Sequence, residues 1–260
     1  MCFREDALIE RHIVISGGCG AIGVGIVKKL TEHGARVTVN DILDTASADE
    51  RLRAAEIDLE KTVYVQGDVT LAEEVETLIE RARSRFGPIH TALCHVGMVA
   101  PKPLLDYSDE EWTQTMEVNV KTAFLLGKAS ARAMLEDEVA GHLIFTISWV
   151  ADVPWPEIGP YNASKAAMKQ LMRSFARELA DKNIRANAVA PGIVSVGLAK
   201  HQWNTDPSYR ARAQKAIPLG EMQPLDSVAN AFLFLCSSAA DYMTGSVLLV
   251  DGGCSLYPMD

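Results

Sequence analysis

The stretch His12-Ile13-Val14-Ile15-Ser16-Gly17-Gly18-Cys19-Gly20-Ala21-Ile22-Gly23 decides how the rest of the chain is read. Its short β-branched run suits a strand buried on both faces of a parallel sheet. The glycines that follow open a helical pattern, which is the context a dinucleotide-binding turn requires. Small residues there let the backbone approach a pyrophosphate, and the helix N-terminus offers it unpaired N–H groups. Gly18-x-Gly20-x-x-Gly23 matches G-x-G-x-x-G, and Gly17-x-x-x-Ala21-x-Gly23 matches a related spacing. Cys19, Ala21 and Ile22 lie inside this turn and join the candidate cofactor contacts. Taken alone, the run is also compatible with an ordinary tight turn.

Working outward, six more apolar runs alternate with helical patterns: Arg36–Val39, Thr62–Val65, Thr91–Cys94, His142–Ile147, Ile184–Val189 and Ser246–Val250. Between them, Thr70 with Glu73 and Ser108 with Glu111 have the spacing of capping boxes. The first precedes a helix period that Gly87-Pro88 stops, and the second precedes a long helical segment reaching Leu135. Repeated strand–helix alternation implies right-handed crossovers. The fold class expected is α/β, a single Rossmann-like, doubly wound, parallel seven-stranded sheet with helices on both faces. At 260 residues, without linker or repeat, one domain spanning residues 1–260 is expected. Folding at that size buries roughly 70–75% of the unfolded surface.

A formal net charge of −9 argues against nucleic acid or an anionic membrane as a standing partner. Cys2, Cys19, Cys94, Cys236 and Cys254 show neither paired nor metal-ligand spacing, so no metal is expected and a reducing, cytoplasmic setting fits. The first residues lack the apolar stretch of a signal peptide, and no run approaches the ~20 apolar residues of a membrane span.

Asp41 ends the second strand, eighteen positions after Gly23. An acid there accepts hydrogen bonds from adenosine ribose hydroxyls and repels a 2′-phosphate. Asn40-Asp41-Ile42-Leu43 places no Arg or Lys beside it, so NAD is favoured over NADP. An ordinary strand-end aspartate is the alternative. Asp68-Val69, ending the third strand, suits an adenine contact or a helix-leading acid.

Tyr161 and Lys165 are four apart and share a helix face. A free phenol ionises near pH 10, and a neighbouring ammonium favours the phenolate, which would make Tyr161 a general acid/base. Ser148 ends a strand upstream, thirteen residues before Tyr161.

On these residues the chain resembles a short-chain dehydrogenase/reductase of the ~250-residue type over essentially its whole length. Ser16, Gly17, Ala21 and Gly23 match that family's T-G-x-x-x-G-x-G pattern, and Thr244-Gly245 with Val250-Asp251-Gly252-Gly253 resembles its C-terminal signature. The resemblance implies that Tyr161 exchanges a proton with the substrate oxygen, while Lys165 lowers the Tyr161 pKa and holds the nicotinamide ribose. It further implies that Ser148 orients that oxygen and that Asn119 positions a water linking Lys165 to solvent. Pro191, Gly192 and Val194 would flank the nicotinamide. A homotetramer or homodimer is implied too, and the C-terminal segment Cys254–Met259 would add to an interface.

The chain departs from the family where Asn-Asn-Ala-Gly gives way to Cys94-His95-Val96-Gly97. His95 and Gly97 are candidate cofactor contacts, with a purely structural histidine as the alternative. Ala21 adds a methyl at the pyrophosphate, and Val196 stands where many relatives carry a Thr that anchors the carboxamide. The variable substrate lid falls at about residues 194–214, with His201, Gln202, Trp203 and Asn204 in it. Trp149, Trp155 and Trp203 suit stacking on a substrate or simple packing. The lid's polar residues favour a polyol, sugar or hydroxy acid, with acyl thioesters and cyclic ketones left open. The leading expectation is NAD-dependent interconversion of a secondary alcohol and its ketone. The alternatives are an NADPH-dependent 3-oxoacyl reductase and a low-turnover NAD-binding sensor.

Overall fold

The computed structural model describes residues 4–256; Cys2 and Tyr257–Met259 lie outside them. Seven parallel strands form one sheet in the order β3-β2-β1-β4-β5-β6-β7. They are β1 (His12–Ser16), β2 (Arg36–Asp41), β3 (Thr62–Gln66), β4 (Thr91–Cys94), β5 (Gly141–Thr146), β6 (Ile184–Pro191) and β7 (Val247–Val250). All seven expected strands are present, and the sheet is Rossmann-like. Order reverses between β1 and β4, so the crevice at their carboxyl ends is where such a sheet takes its ligand.

The strands read as continuous apolar runs because both faces are covered. Val14, Ala92, Leu143 and Phe145 point into one core, whereas Ile13, Ile15, Leu93 and Ile144 point into the other. That division follows the two-residue period of a strand. The first core is closed by α3 (Ala72–Phe86), α5 (Thr122–Glu136) and α6 (Gly159–Leu179). The second is closed by α1 (Gly23–Glu32), α2 (Thr45–Ala54) and α9 (Leu225–Cys236).

Two local expectations need correction. The Thr70–Glu73 box is not formed, because α3 begins at Ala72 after an uncapped Leu71. Glu74 turns back instead and accepts the Asp68 backbone N–H at 2.6 Å, which leaves Thr70 donating its N–H to Asp68 Oδ1. The Ser108–Glu111 box is present at the start of α4 (Asp109–Met116). The long segment beyond it is not one α-helix, since a π-helical turn over Glu117–Lys121 separates α4 from α5. Such turns are rare and recur at functional sites, and this one carries Asn119 inward. Among the described residues, no helix is long and apolar enough to cross a membrane.

Candidate active site

A cleft of about 720 Å³ opens at the carboxyl ends of the strands. At one end lie Asp41, Asp68 and Val69; Gly17, Gly20, Ala21 and Ile22 form its middle floor. The turn is tight for a reason. A Cβ on Gly23 would sit 2.4 Å from the Gly17 carbonyl oxygen, so α1 can start against the turn only with glycine there. No acidic residue occupies the first turn of α1, and its N-terminus stays free to receive an anion.

The Asp41 carboxylate is pinned. Oδ2 accepts the Cys19 N–H at 3.2 Å and Oδ1 accepts the Ile42 N–H at 2.9 Å. Cys19 itself is buried and, like Ser16, Gly23 and Pro191, does not line the cleft. These four shape the walls. The Ser16 hydroxyl, for example, accepts the His95 N–H at 3.2 Å, tying β1 to the segment after β4. No Arg or Lys adjoins Asp41 in sequence, but α2 brings Arg51 Nη1 to the carbonyl of Cys19, whose N–H Asp41 accepts, at 3.2 Å. Local sequence could not show this, because the contact closes across a loop and a helix.

The opposite end gathers Ser148, Tyr161 and Lys165. Ser148 follows β5, its Oγ accepting the Val150 N–H at 3.4 Å, and lines the cleft together with Tyr161. One helical turn on, Lys165 is 2% exposed, with Nζ donating to the Thr146 carbonyl at 2.8 Å. Nζ lies 5.4 Å from the Tyr161 ring centroid. Burial pushes the phenol up to about 12, with the Ser148 hydroxyl opposing, and pulls the ammonium down to about 7. This corrects the expectation of a Lys165-depressed phenol: desolvation outweighs a cation that sits over the ring and bonds elsewhere.

Asn119 is fully buried and does not line the cleft. Its Oδ1 accepts the Met98 N–H at 2.7 Å, and Nδ2 donates to Met98 O at 3.0 Å and Ser164 Oγ at 2.8 Å. Both amide hydrogens are thereby committed to clamping the Met98 backbone against α6. Gly97 lines the cleft beside it, and a Cβ there would come within 3.2 Å of Lys165 Nζ. That bare backbone leaves room for a ribose next to the ammonium, so the residues present fit a nicotinamide dinucleotide.

His95 also lines the cleft, but its Nδ1 is engaged 2.8 Å from Thr146 Oγ1. Its ring stands edge-on to Phe232 at 6.0 Å. Desolvation, reinforced by the nearby Lys165 charge, holds the imidazole down to about 3. The ring is held neutral, with Nδ1 engaged by Thr146. Cys94 donates its thiol to the Ala123 carbonyl at 3.5 Å.

Gly192 and Val194 line the cleft next to the catalytic end. Gly192 is required by close approach, since a Cβ would meet the Asp251 backbone at 2.7 Å. Gln223, which no sequence motif marks, grips this loop. Its Oε1 accepts the Gly192 N–H at 2.8 Å, and its backbone pairs with Ile193 O and Ser195 N, each at 2.8 Å. The lid is two short helices, α7 (Gly197–Thr205) and α8 (Pro207–Ala216). The Ala21 methyl points toward it, 3.3 Å from where a Cβ on Gly197 would be.

The polar lid residues His201 and Asn204 are exposed and do not line the cleft. Leu198, Ala199, Gln202, Tyr209 and Arg212 do. Trp149 and Trp155 also line it, ring to ring at 5.6 Å, and Trp155 meets Tyr209 at 6.3 Å. Trp203 does not; it packs against the small apolar core beneath the lid.

A doubly wound sheet with a glycine turn at one end of its crevice and Ser148, Tyr161 and Lys165 at the other defines a dinucleotide-dependent oxidoreductase. Comparison with known proteins narrows this class. A family model described as enoyl-(acyl carrier protein) reductase matches residues 18–255. The chain is 32% identical over 253 residues to 3beta-hydroxysteroid dehydrogenase 1 of Eggerthella lenta, covering 97% of both chains. It is 30% identical to glucose 1-dehydrogenase 2 of Bacillus subtilis, covering 96% of this chain and 97% of that one. It is 31% identical to cis-4-hydroxycyclohexanecarboxylate dehydrogenase of Sinomonas cyclohexanicum, covering 95% and 98%. A solved short-chain type dehydrogenase/reductase from Mycobacterium marinum superposes with a TM-score of 0.85 at 29% identity, each chain covered to 96%. The chain belongs to the short-chain dehydrogenase/reductase family, whose members act on CH–OH donors with NAD(P).

Proposed function

We propose that this protein interconverts a secondary alcohol and its ketone with NAD, on a substrate whose alcohol is borne by a compact, largely apolar body. The observation that carries the reading is the single cleft joining Asp41 at one end to Ser148, Tyr161 and Lys165 at the other. The nicotinamide supplies hydride exchange when bound. Asp41 would take the adenosine ribose hydroxyls, the glycine turn with the N-terminus of α1 would take the pyrophosphate, and Lys165 would reach the nicotinamide ribose across Gly97.

Toward the alcohol, Tyr161 donates its phenolic proton to the carbonyl oxygen while Ser148 holds that oxygen in line. Burial keeps the phenol protonated at neutral pH, which suits the acid role. Toward the ketone, the phenol must first lose its proton. Lys165, brought down to about 7, is the group beside it that exchanges protons near neutrality.

Of the polar lid residues behind the polyol preference only Gln202 lines the cleft, while His201 and Asn204 are exposed and outside it. Met98, Val99, Trp149, Val150, Trp155 and Ile158 instead make an apolar wall. The relatives named for a hydroxysteroid and a hydroxycyclohexanecarboxylate support an alicyclic alcohol. Residues 1–260 would act as one catalytic domain, in a cytoplasmic homotetramer or homodimer. The test is a fluorescence titration with NADH and NADPH, followed by turnover of an alicyclic alcohol panel with NAD. Tighter NADPH binding would overturn the cofactor assignment and advance the oxoacyl reductase. NADH binding without turnover on the panel would favour the sensor.

A further inference from the structure

Beyond the catalytic groups, the substrate end of the cleft carries three polar side chains, Glu157, Gln202 and Arg212, and one of them is a cation. Arg212, from α8, lines the cleft and lays its guanidinium over Trp155, 5.1 Å from the ring centroid. Trp155 is in turn braced edge-on by Trp149 and Tyr209. Stacking of this kind holds a guanidinium plane in a fixed orientation. The group is only partly used. Nη2 donates to Glu157 Oε2 at 2.9 Å, and among the described residues nothing accepts from the buried Nε. A buried donor without an acceptor is an expensive arrangement unless something else fills it.

Glu157 has the marks of a removable partner. Its side chain is 48% exposed, so the pair is weakly held. Its backbone sits at φ 66, a conformation that side-chain-bearing residues rarely adopt. That conformation is held by main-chain contacts, with Glu157 O accepting from Lys102 N at 2.7 Å and Tyr107 Oη at 3.2 Å. The carboxylate can therefore leave Arg212 without the loop coming undone.

We propose that Arg212 is a carboxylate-recognition residue, and that the substrate of this enzyme is an alicyclic hydroxy or oxo acid whose acid group displaces Glu157 from the guanidinium. The assignment rests on the oxidoreductase reading above and adds the chemical class of the substrate. The ring lies against the Trp149–Trp155 wall. The carboxylate takes Nε and Nη2 together, a bidentate grip stronger than the single bond to Glu157. The carbinol end is left for Ser148 and Tyr161.

The experiment is a tryptophan-fluorescence titration of the protein saturated with NADH, using cyclohexanecarboxylate and its neutral isostere cyclohexanecarboxamide. NADH is titrated first; failure there strikes at the oxidoreductase reading, whereas a missing carboxylate preference in the NADH complex strikes only at Arg212. The wild type is expected to bind the carboxylate about tenfold or more tightly than the amide. Arg212→Met, which keeps the aliphatic stack on Trp155, is expected to erase that preference, and Glu157→Gln to strengthen it. Equal binding of the two probes, no carboxylate binding at millimolar concentration, or an Arg212→Met variant that keeps the preference would overturn the assignment. Equal loss of both probes in Arg212→Met would make the residue a lid latch, and would overturn it as well.

Discussion

His95 and Lys165 are joined through one residue: the Thr146 hydroxyl lies 2.8 Å from His95 Nδ1, and the Thr146 carbonyl accepts Lys165 Nζ at 2.8 Å. The histidine that interrupts the family's asparagine pattern therefore braces the strand end on which the catalytic lysine hangs. Thr146→Val keeps the carbonyl and strands the imidazole. A loss of about 1–3 kcal/mol is expected for the unsatisfied ring nitrogen, together with a lower kcat as Lys165 loosens. Chemical denaturation and steady-state kinetics on the one variant check both.

Tyr161→Phe leaves the ring against Lys165 and removes only the hydroxyl. Turnover is expected to fall by about a hundredfold to ten-thousandfold, with the NADH dissociation constant little changed. Coupled loss of NADH binding would show that the hydroxyl serves the cofactor rather than the chemistry.

Asp41→Ser takes away the pinned negative charge and leaves Arg51 beside the same turn. The ratio of NADPH to NADH affinity is expected to rise by about tenfold or more, from the lost repulsion of a 2′-phosphate. The two dissociation constants, measured in parallel at one ionic strength, decide it.

Acid should weaken the fold through its buried histidines. His12 and His142 are 1% and 3% exposed. His12 pairs with Gly87 O and Thr38 Oγ1, and His142 Nε2 accepts from Asn187 Nδ2. Desolvation brings His12 down to about 4 and His142 down to about 3. Below the unfolded value of about 6.5, the unfolded chain binds protons that the native chain refuses. Stability therefore falls as pH drops from 6.5 toward those native values. Each histidine is expected to cost about 2 kcal/mol between pH 6.5 and pH 5. Lys165 works on the alkaline side. Its native value near 7 against 10.5 unfolded makes stability rise over that interval. Urea midpoints at pH 5, 6.5 and 9 measure both slopes.

What could be read along the chain was what depends on neighbours in sequence. β-branched runs bounded by helical periods gave all seven strands, and the spacing of Ser148, Tyr161 and Lys165 survives folding because a helix and a strand end fix it. The Thr70–Glu73 spacing forms no box because Glu74, one residue past Glu73, reaches the Asp68 N–H and the helix starts at Ala72. Arg51, Gln223 and Arg212 were invisible for a different reason. Each acts on a partner separated from it by tens of residues, and no local pattern encodes where α2, the segment before α9 or α8 will land. Spacing reports that Tyr161 and Lys165 are adjacent and says nothing of desolvation, which pushes the phenol upward.

Gln223 gives the molecule a property that reaches beyond one substrate. Through its side chain and its backbone it fastens residues 192–195 to the far end of the lid, so everything between Val196 and Met222 hangs from a closed stem. Inside that stem the segment touches the scaffold through its underside, where Tyr209, Ala213 and Ile217 join Trp149, Val150 and Ile193 in one small core. Such a segment is a cassette: it can be lengthened, shortened or exchanged in the course of descent while the proton-handling residues stay where the sheet holds them. Its outward-facing positions would then be free to vary, while the buried Tyr209, Ala213 and Ile217 keep it seated.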